Sequence, residues 1–225
     1  MHIKSFTIRR VESQIMKITS FQFCIICDFD EIKLQIGTGF VFLRKDWIVT
    51  AAHVIKNKNG SVRDKLFARF PSINNDSVPL KVILCLIQSD IAILQIEGNN
   101  NPCTQPLFPG HDDLSVSTGL ISLGYTPSKG NVISIIREKI YKKNVWQWQN
   151  NENQIIFEFE NSVIEGGCSG GPVFGDGGCV LGVLMEVFKN PEKPSKQYVR
   201  VTSIQNLMTA ISIDINIEKS EPMIL

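Results

Sequence analysis

The chain has 225 residues, 43% hydrophobic and 20% charged, with 23 Lys plus Arg against 22 Asp plus Glu. This balance excludes an intrinsically disordered chain, which needs few apolar residues and a large net charge. A net charge of +1 also provides no clustered cationic footprint for nucleic acid or an anionic membrane, so neither is expected as a partner. The length fits one two-lobed domain or two small ones.

In chain order, residues 1–20 interleave Lys4, Arg9, Arg10, Glu12 and Lys17 with apolar residues, so no signal peptide is expected there. No segment approaches the ~20 apolar residues of a membrane helix. The six cysteines, at 24, 27, 85, 103, 168 and 179, form no disulfide-dense stretch. Together these features lead to the expectation of a cytoplasmic protein. Cys24 and Cys27 have C-x-x-C spacing, but Phe21 to Cys27 reads as an apolar strand whose residues three apart face opposite ways. Packing is the expected role of both thiols.

Short runs rich in Ile, Val and Phe, separated by Gly, Asn, Asp and Pro clusters, predict strands at 20–27, 32–43, 46–50, 65–70, 79–87 and 91–96. A second series follows at 119–123, 131–140, 144–149, 154–159, 172–174, 179–187 and 197–201. Such a series is that of an all-β sandwich or barrel. Trp146 and Trp148 share one face of a predicted hairpin closed by Asn150 to Asn153, where packing is a more ordinary role than ligand stacking. Residues 98–117 are rich in turn formers and read as a linker between halves at about 20–97 and 118–202. After Thr202 and Ser203, apolar positions 204, 207, 208 and 211 predict a short amphipathic helix over 203–212.

Three fragments could carry chemistry. Gly166-Gly167-Cys168-Ser169-Gly170-Gly171-Pro172 presents one hydroxyl among residues that let a substrate backbone approach closely. An alcohol becomes a useful nucleophile when a base takes its proton and backbone N–H groups meet the oxyanion that forms. A plain strand-connecting turn would have the same composition. The fragment also fits G-x-S-x-G, but an α/β-hydrolase places its histidine after the serine, and the histidines here are at 2, 53 and 111. The second fragment is Thr50-Ala51-Ala52-His53-Val54, a histidine at the end of an apolar strand. The third is Ser89-Asp90-Ile91-Ala92-Ile93-Leu94, an aspartate at a strand entrance that needs a partner, as a turn cap or as the acceptor of the His53 N–H. His111 falls in the linker.

In order and context, these fragments together with Gly37-Thr38-Gly39-Phe40-Val41 resemble the trypsin-like, chymotrypsin-fold serine proteases. Within them, the bacterial HtrA-like protease domain is most similar, with echoes in Pro109 to Val116 and Gly124-Tyr125-Thr126-Pro127. The resemblance spans roughly residues 20–212 and leaves no room for the PDZ domain that often follows. It implies one peptidase domain of two packed six-stranded antiparallel β-barrels with a short C-terminal helix. It further implies that Ser169 attacks the scissile carbonyl, His53 acts as base and then acid, and Asp90 orients His53. The N–H groups of Gly167 and Ser169 would form the oxyanion hole.

The same resemblance puts Val163 near the base of the primary pocket, with Ile164, Leu184, Met185 and Glu186 along its walls. A base without a carboxylate implies a small or medium apolar residue before the cleaved bond. Cys168 replaces the acidic residue that digestive relatives carry before the serine, so activation by a new N-terminal ammonium is not expected. Viral relatives with a thiol nucleophile place it directly before Gly-Gly, where this chain has Ser169. The expected protein is thus a serine endopeptidase acting on polypeptides without metal or organic cofactor, restrained by narrow specificity or by a regulatory protein partner. A catalytically silent peptide-binding module and an esterase using the same triad are the alternatives.

Overall fold

The computed structural model describes residues 22–28, 34–71, 74–98, 102, 105–110, 120–125, 133–138, 154–160, 166–175, 178–189, 196–214 and 223–224. The fold is mostly β. Its first half contains β1 (Phe23–Asp28), β2 (Leu34–Val41), β3 (Trp47–Ala51), β4 (Leu66–Phe70), β5 (Asn74–Leu86) and β6 (Ile91–Ile96). Hydrogen bonding runs β5-β4-β1-β2-β3-β6 and returns to β5, closing a six-stranded antiparallel barrel. Closure depends on the 13 residues of β5, which pair with β4 through Asn74 to Leu80 and with β6 through Leu80 to Leu86. A bulge between Val82 and Leu84 supplies the bend that lets one strand serve two neighbours. The sequence predicts this strand only from residue 79, because Asn74 to Ser77 has turn composition. Pairing with β4 overrides that local preference.

The second half contains β7 (Leu120–Tyr125), β8 (Ile133–Glu138), β9 (Gln154–Glu160), β10 (Pro172–Phe174), β11 (Val180–Lys189), β12 (Lys196–Ser203) and helix α1 (Ile204–Asp214). Its sheet order is β8-β7-β10-β11-β12-β9. This is the strand order of the first barrel opened between its second and third strands. The expectation of two closed barrels is therefore corrected to one closed barrel and one open six-stranded sheet, because among the described residues β8 bonds only to β7 and β9 only to β12. The predicted strand at 144–149, with Trp146 and Trp148, lies outside the described residues. An unpredicted two-residue strand, β13 (Met223–Ile224), pairs in parallel with Leu84 and Cys85 of β5.

One buried apolar cluster spans both halves, joining Phe23, Ile26, Phe40 and Ile93 to Phe174, Val183, Met185 and Leu207. All six residues of β1 are buried. The T-shaped pair Phe23–Phe174, with centroids 6.3 Å apart, links β1 to β10. Within the expected linker, Leu107 bridges to Phe42 of the barrel side and Pro109 to Val180 of the second sheet. Gln205 of α1 adds an Nε2–H bond to the Gly110 carbonyl at 2.9 Å. The linker is thus a strap bonded to both halves. Cys24 and Cys27 are buried in the core and form no disulfide, and burial pushes the Cys27 thiol up against the opposing effect of Arg69.

Candidate active site

His53 sits in a 3-10 turn, Ala52–Ile55, that follows β3 directly. Ala51 and Ala52 are buried, and their small side chains allow the chain to turn tightly against the barrel end while His53 stays exposed. Asp90 closes the turn between β5 and β6. Its carboxylate grips His53 at two points: Oδ1 accepts the His53 backbone N–H at 2.8 Å, and Oδ2 lies 2.8 Å from Nδ1. The Asp90 carbonyl also accepts the Ala52 N–H at 2.9 Å. A carboxylate only accepts, so in the neutral ring Nδ1 carries the proton and Nε2 keeps its lone pair.

Asp90 adopts φ +54°, a left-handed conformation that aspartate tolerates better than most residues but that still costs about 1 kcal/mol. The peptide group before it is held on both sides. Asp90 N–H donates to Ile87 O at 3.2 Å, and Thr202 Oγ1 on β12 donates to Ser89 O at 2.9 Å. Sequence reasoning missed Thr202, which is 113 residues from its partner and gives no local signal.

Ser169 lies in the Gly-rich turn before β10. Its carbonyl accepts the Thr38 N–H of β2 at 2.8 Å, while Gly170 N–H donates to Leu184 O of β11 at 2.7 Å. The turn is therefore tied to the barrel on one side and to its own sheet on the other. Two glycines show how close the approach is. A Cβ on Gly170 would lie 2.2 Å from both Thr38 O and Thr50 Oγ1, and one on Gly37 would lie 2.6 Å from Val54 and 3.0 Å from Ser169 O. Ser169 is thus brought against the segment carrying His53. Among the described residues, Ser169 Oγ makes no direct hydrogen bond to the His53 ring, and the N–H groups of Gly167 and Ser169 have no protein acceptor. Catalytic hydrogen bonds often tighten only once substrate is bound.

The remaining candidates divide. Leu184 and Met185 are buried, at a bulge in β11, and the backbone of Leu184 carries the contact with the Gly-rich turn. Glu186 is exposed and ion-paired with Arg200 across β11 and β12. Val163, Ile164 and His111 lie outside the described residues. Cys168 is buried and faces away from solvent, because a Cβ on Gly124 would meet its Sγ at 3.1 Å. Cys85, on β5 before the turn that carries Asp90, is buried too. Its thiol is pushed up by burial, against Lys56 and with Asp90. Among the described residues, no group of three His, Cys, Asp or Glu is placed to hold a metal, and no helix is long and apolar enough to cross a membrane.

Known proteins resemble this chain in sequence and in fold. A probable periplasmic serine endoprotease DegP-like of Pseudomonas fluorescens is 25% identical over 195 residues, covering 84% of this chain and 35% of that protein. Protease Do-like 2, chloroplastic, of Arabidopsis thaliana is 27% identical over 125 residues, covering 55% of this chain and 20% of that protein. This chain therefore spans about a third or less of the length of those relatives. Among solved structures, the active form of the Rv3671c protease of M. tuberculosis superposes with TM-score 0.69 at 19% identity, covering 95% of this chain and 88% of that one. The HtrA-type protease AlgW, solved with a decapeptide, gives 0.65 at 12% identity, covering 91% and 67%.

The expectation of a cytoplasmic protein is overturned by the relatives, which are named periplasmic and chloroplastic. Location is set by sorting segments that the composition of a folded domain does not encode. The family model of the trypsin-like peptidase domain matches residues 37–183, well over half of the sequence, and the chain belongs to that family.

Proposed function

We propose that the chain is a serine endopeptidase and that its two halves form one catalytic unit. Ser169 Oγ attacks the scissile carbonyl of a polypeptide as His53 Nε2 removes its proton. The imidazolium is stabilised by Asp90, and the oxyanion is met by the N–H groups of Gly167 and Ser169. His53 then protonates the leaving amine, and water hydrolyses the acyl-enzyme by the reverse proton route. The observation that carries this reading is the two-point grip of Asp90 on His53, which leaves Nε2 free beside the segment bonded to Ser169. Restraint by a regulatory protein partner belongs to the same proposal.

A fluorophosphonate probe tests the reading. The purified protein is expected to be labelled, and Ser169→Ala to abolish labelling. Labelling absent from the wild-type protein would favour the peptide-binding module, whereas labelling with hydrolysis of esters but of no peptide would favour the esterase.

We further propose cleavage after small or medium apolar residues. Glu186, which could have drawn a basic side chain, is already neutralised by Arg200. Cleavage-site profiling of a peptide library checks this, and a dominant preference for Lys or Arg would overturn it.

A further inference from the structure

Thr38 is a fully buried polar residue in the apolar strand β2, and each of its polar atoms is engaged. Its N–H donates to Ser169 O at 2.8 Å, and its Oγ1 donates to Gly167 O at 2.7 Å. The same Oγ1 accepts the Tyr125 N–H of β7 at 3.0 Å, and the Thr38 carbonyl accepts from Thr50 Oγ1 at 2.7 Å. A hydroxyl has one hydrogen. With Tyr125 N–H filling a lone pair, that hydrogen is directed to the Gly167 carbonyl.

The consequence follows from the order of peptide groups in the turn. The two proposed oxyanion donors belong to the peptides 166–167 and 168–169. The peptide between them, 167–168, is the one whose carbonyl Thr38 holds, and the peptide after them, 169–170, is held by the Thr38 N–H. Among the described residues, little else opposes rotation on the upstream side. Gly167 has φ +101°, and Gly166 has no heavy atom within 4 Å of where a Cβ would stand. Two successive glycines leave a peptide group free to turn over unless a partner fixes it.

We propose that Thr38 is the positioning residue of the oxyanion hole, its locked hydroxyl holding the Gly167 carbonyl so that the N–H groups of Gly167 and Ser169 point at the developing oxyanion. The inference rests on Ser169 being the nucleophile. It makes the oxyanion geometry of the second half depend on a strand of the first.

The test compares wild type, Thr38→Val and Thr38→Ser on one peptide substrate, with binding of a peptide aldehyde that forms a tetrahedral adduct. Thr38→Val keeps the shape and removes the donor. Its kcat is expected to fall about 10²-fold, as for loss of an oxyanion donor, with KM within about threefold. Aldehyde affinity should weaken by a similar factor, while binding of the cleaved product stays unchanged. Thr38→Ser restores the donor and should recover kcat to within a few-fold. Should Thr38→Val not fold, Thr38→Ala carries the same comparison.

The inference is overturned if the folded donor-less variant keeps kcat within threefold, if the loss falls entirely on KM, or if Thr38→Ser is as impaired as Thr38→Val. Those outcomes differ from failure of the peptidase reading, in which wild type itself is neither labelled by fluorophosphonate nor active.

Discussion

Asp90→Asn is expected to lower kcat by about 10⁴ while the protein stays folded, the loss seen in the template Ser-His-Asp proteases. The two-point grip explains why so small a change is severe. The backbone N–H of His53 can only donate, so the carbonyl oxygen of Asn must stay on it, in place of Oδ1. The amide NH2 then takes the place of Oδ2 and faces Nδ1, which must become an acceptor. The ring proton moves to Nε2, and the base is lost. Turning the amide over would set NH2 against the backbone N–H. Asn tolerates the left-handed backbone at this position, so the turn itself should survive. Steady-state kinetics alongside a thermal melt measures both effects. A folded Asp90→Asn protein within tenfold of wild type would remove His53 from the role of base.

A comparable effect, but on stability, is expected at Gly170. Its φ of +88° disfavours any side chain, and a methyl would stand 2.2 Å from Thr38 O and Thr50 Oγ1 and 2.9 Å from Ala51 N. The strained backbone costs about 1–2 kcal/mol and the overpacking about 1–3 kcal/mol. Gly170→Ala should therefore lose about 2–5 kcal/mol, a large share of the ~5–15 kcal/mol that holds a domain folded. For a chain of this size that corresponds to a drop of about 4–20 °C in Tm. Gly166→Ala is the control, because a methyl there meets open space. Its Tm should stay near that of wild type, within about 0.5 kcal/mol of stability. Equal effects at the two glycines would mean that the contact between the Gly-rich turn and the barrel does not stabilise the fold.

Much of the fold is legible in the sequence because strand signals are local. The 91–96 run is recovered at its predicted ends, and 172–174 likewise, since alternating or continuous apolar residues bounded by turn formers need no distant information. Closure of the first barrel is not local. It depends on β5 bending at Val82 to Leu84 and on polar Asn74 to Ser77 finding β4. Among the described residues the second sheet has the same strand order without the closing pair, and a pattern of strands cannot tell those outcomes apart.

The candidate site divides in the same way. His53, Asp90 and Ser169 could be singled out because each stands at a strand end among residues whose types show a turn, a carboxylate at a strand entrance or a glycine-bared hydroxyl. Thr38 and Thr202 could not. Each is a single threonine in a strand, where threonine is ordinary, and their partners Gly167 and Ser89 are 129 and 113 residues away. The direction of Cys168 was equally hidden, since adjacency in sequence to Ser169 says nothing about which side of the turn its sulfur packs on.

By itself, then, the sequence singled out His53, Asp90 and Ser169 as candidates and marked which stretches form strands, because both readings depend on residue type and short-range order. Only the tertiary structure decided how those atoms are held: the grip of Asp90 on His53, the left-handed turn beneath it, and the threonines that lock the two halves together. Hydrogen bonds between segments a hundred residues apart are set by chain folding, and no local pattern records them.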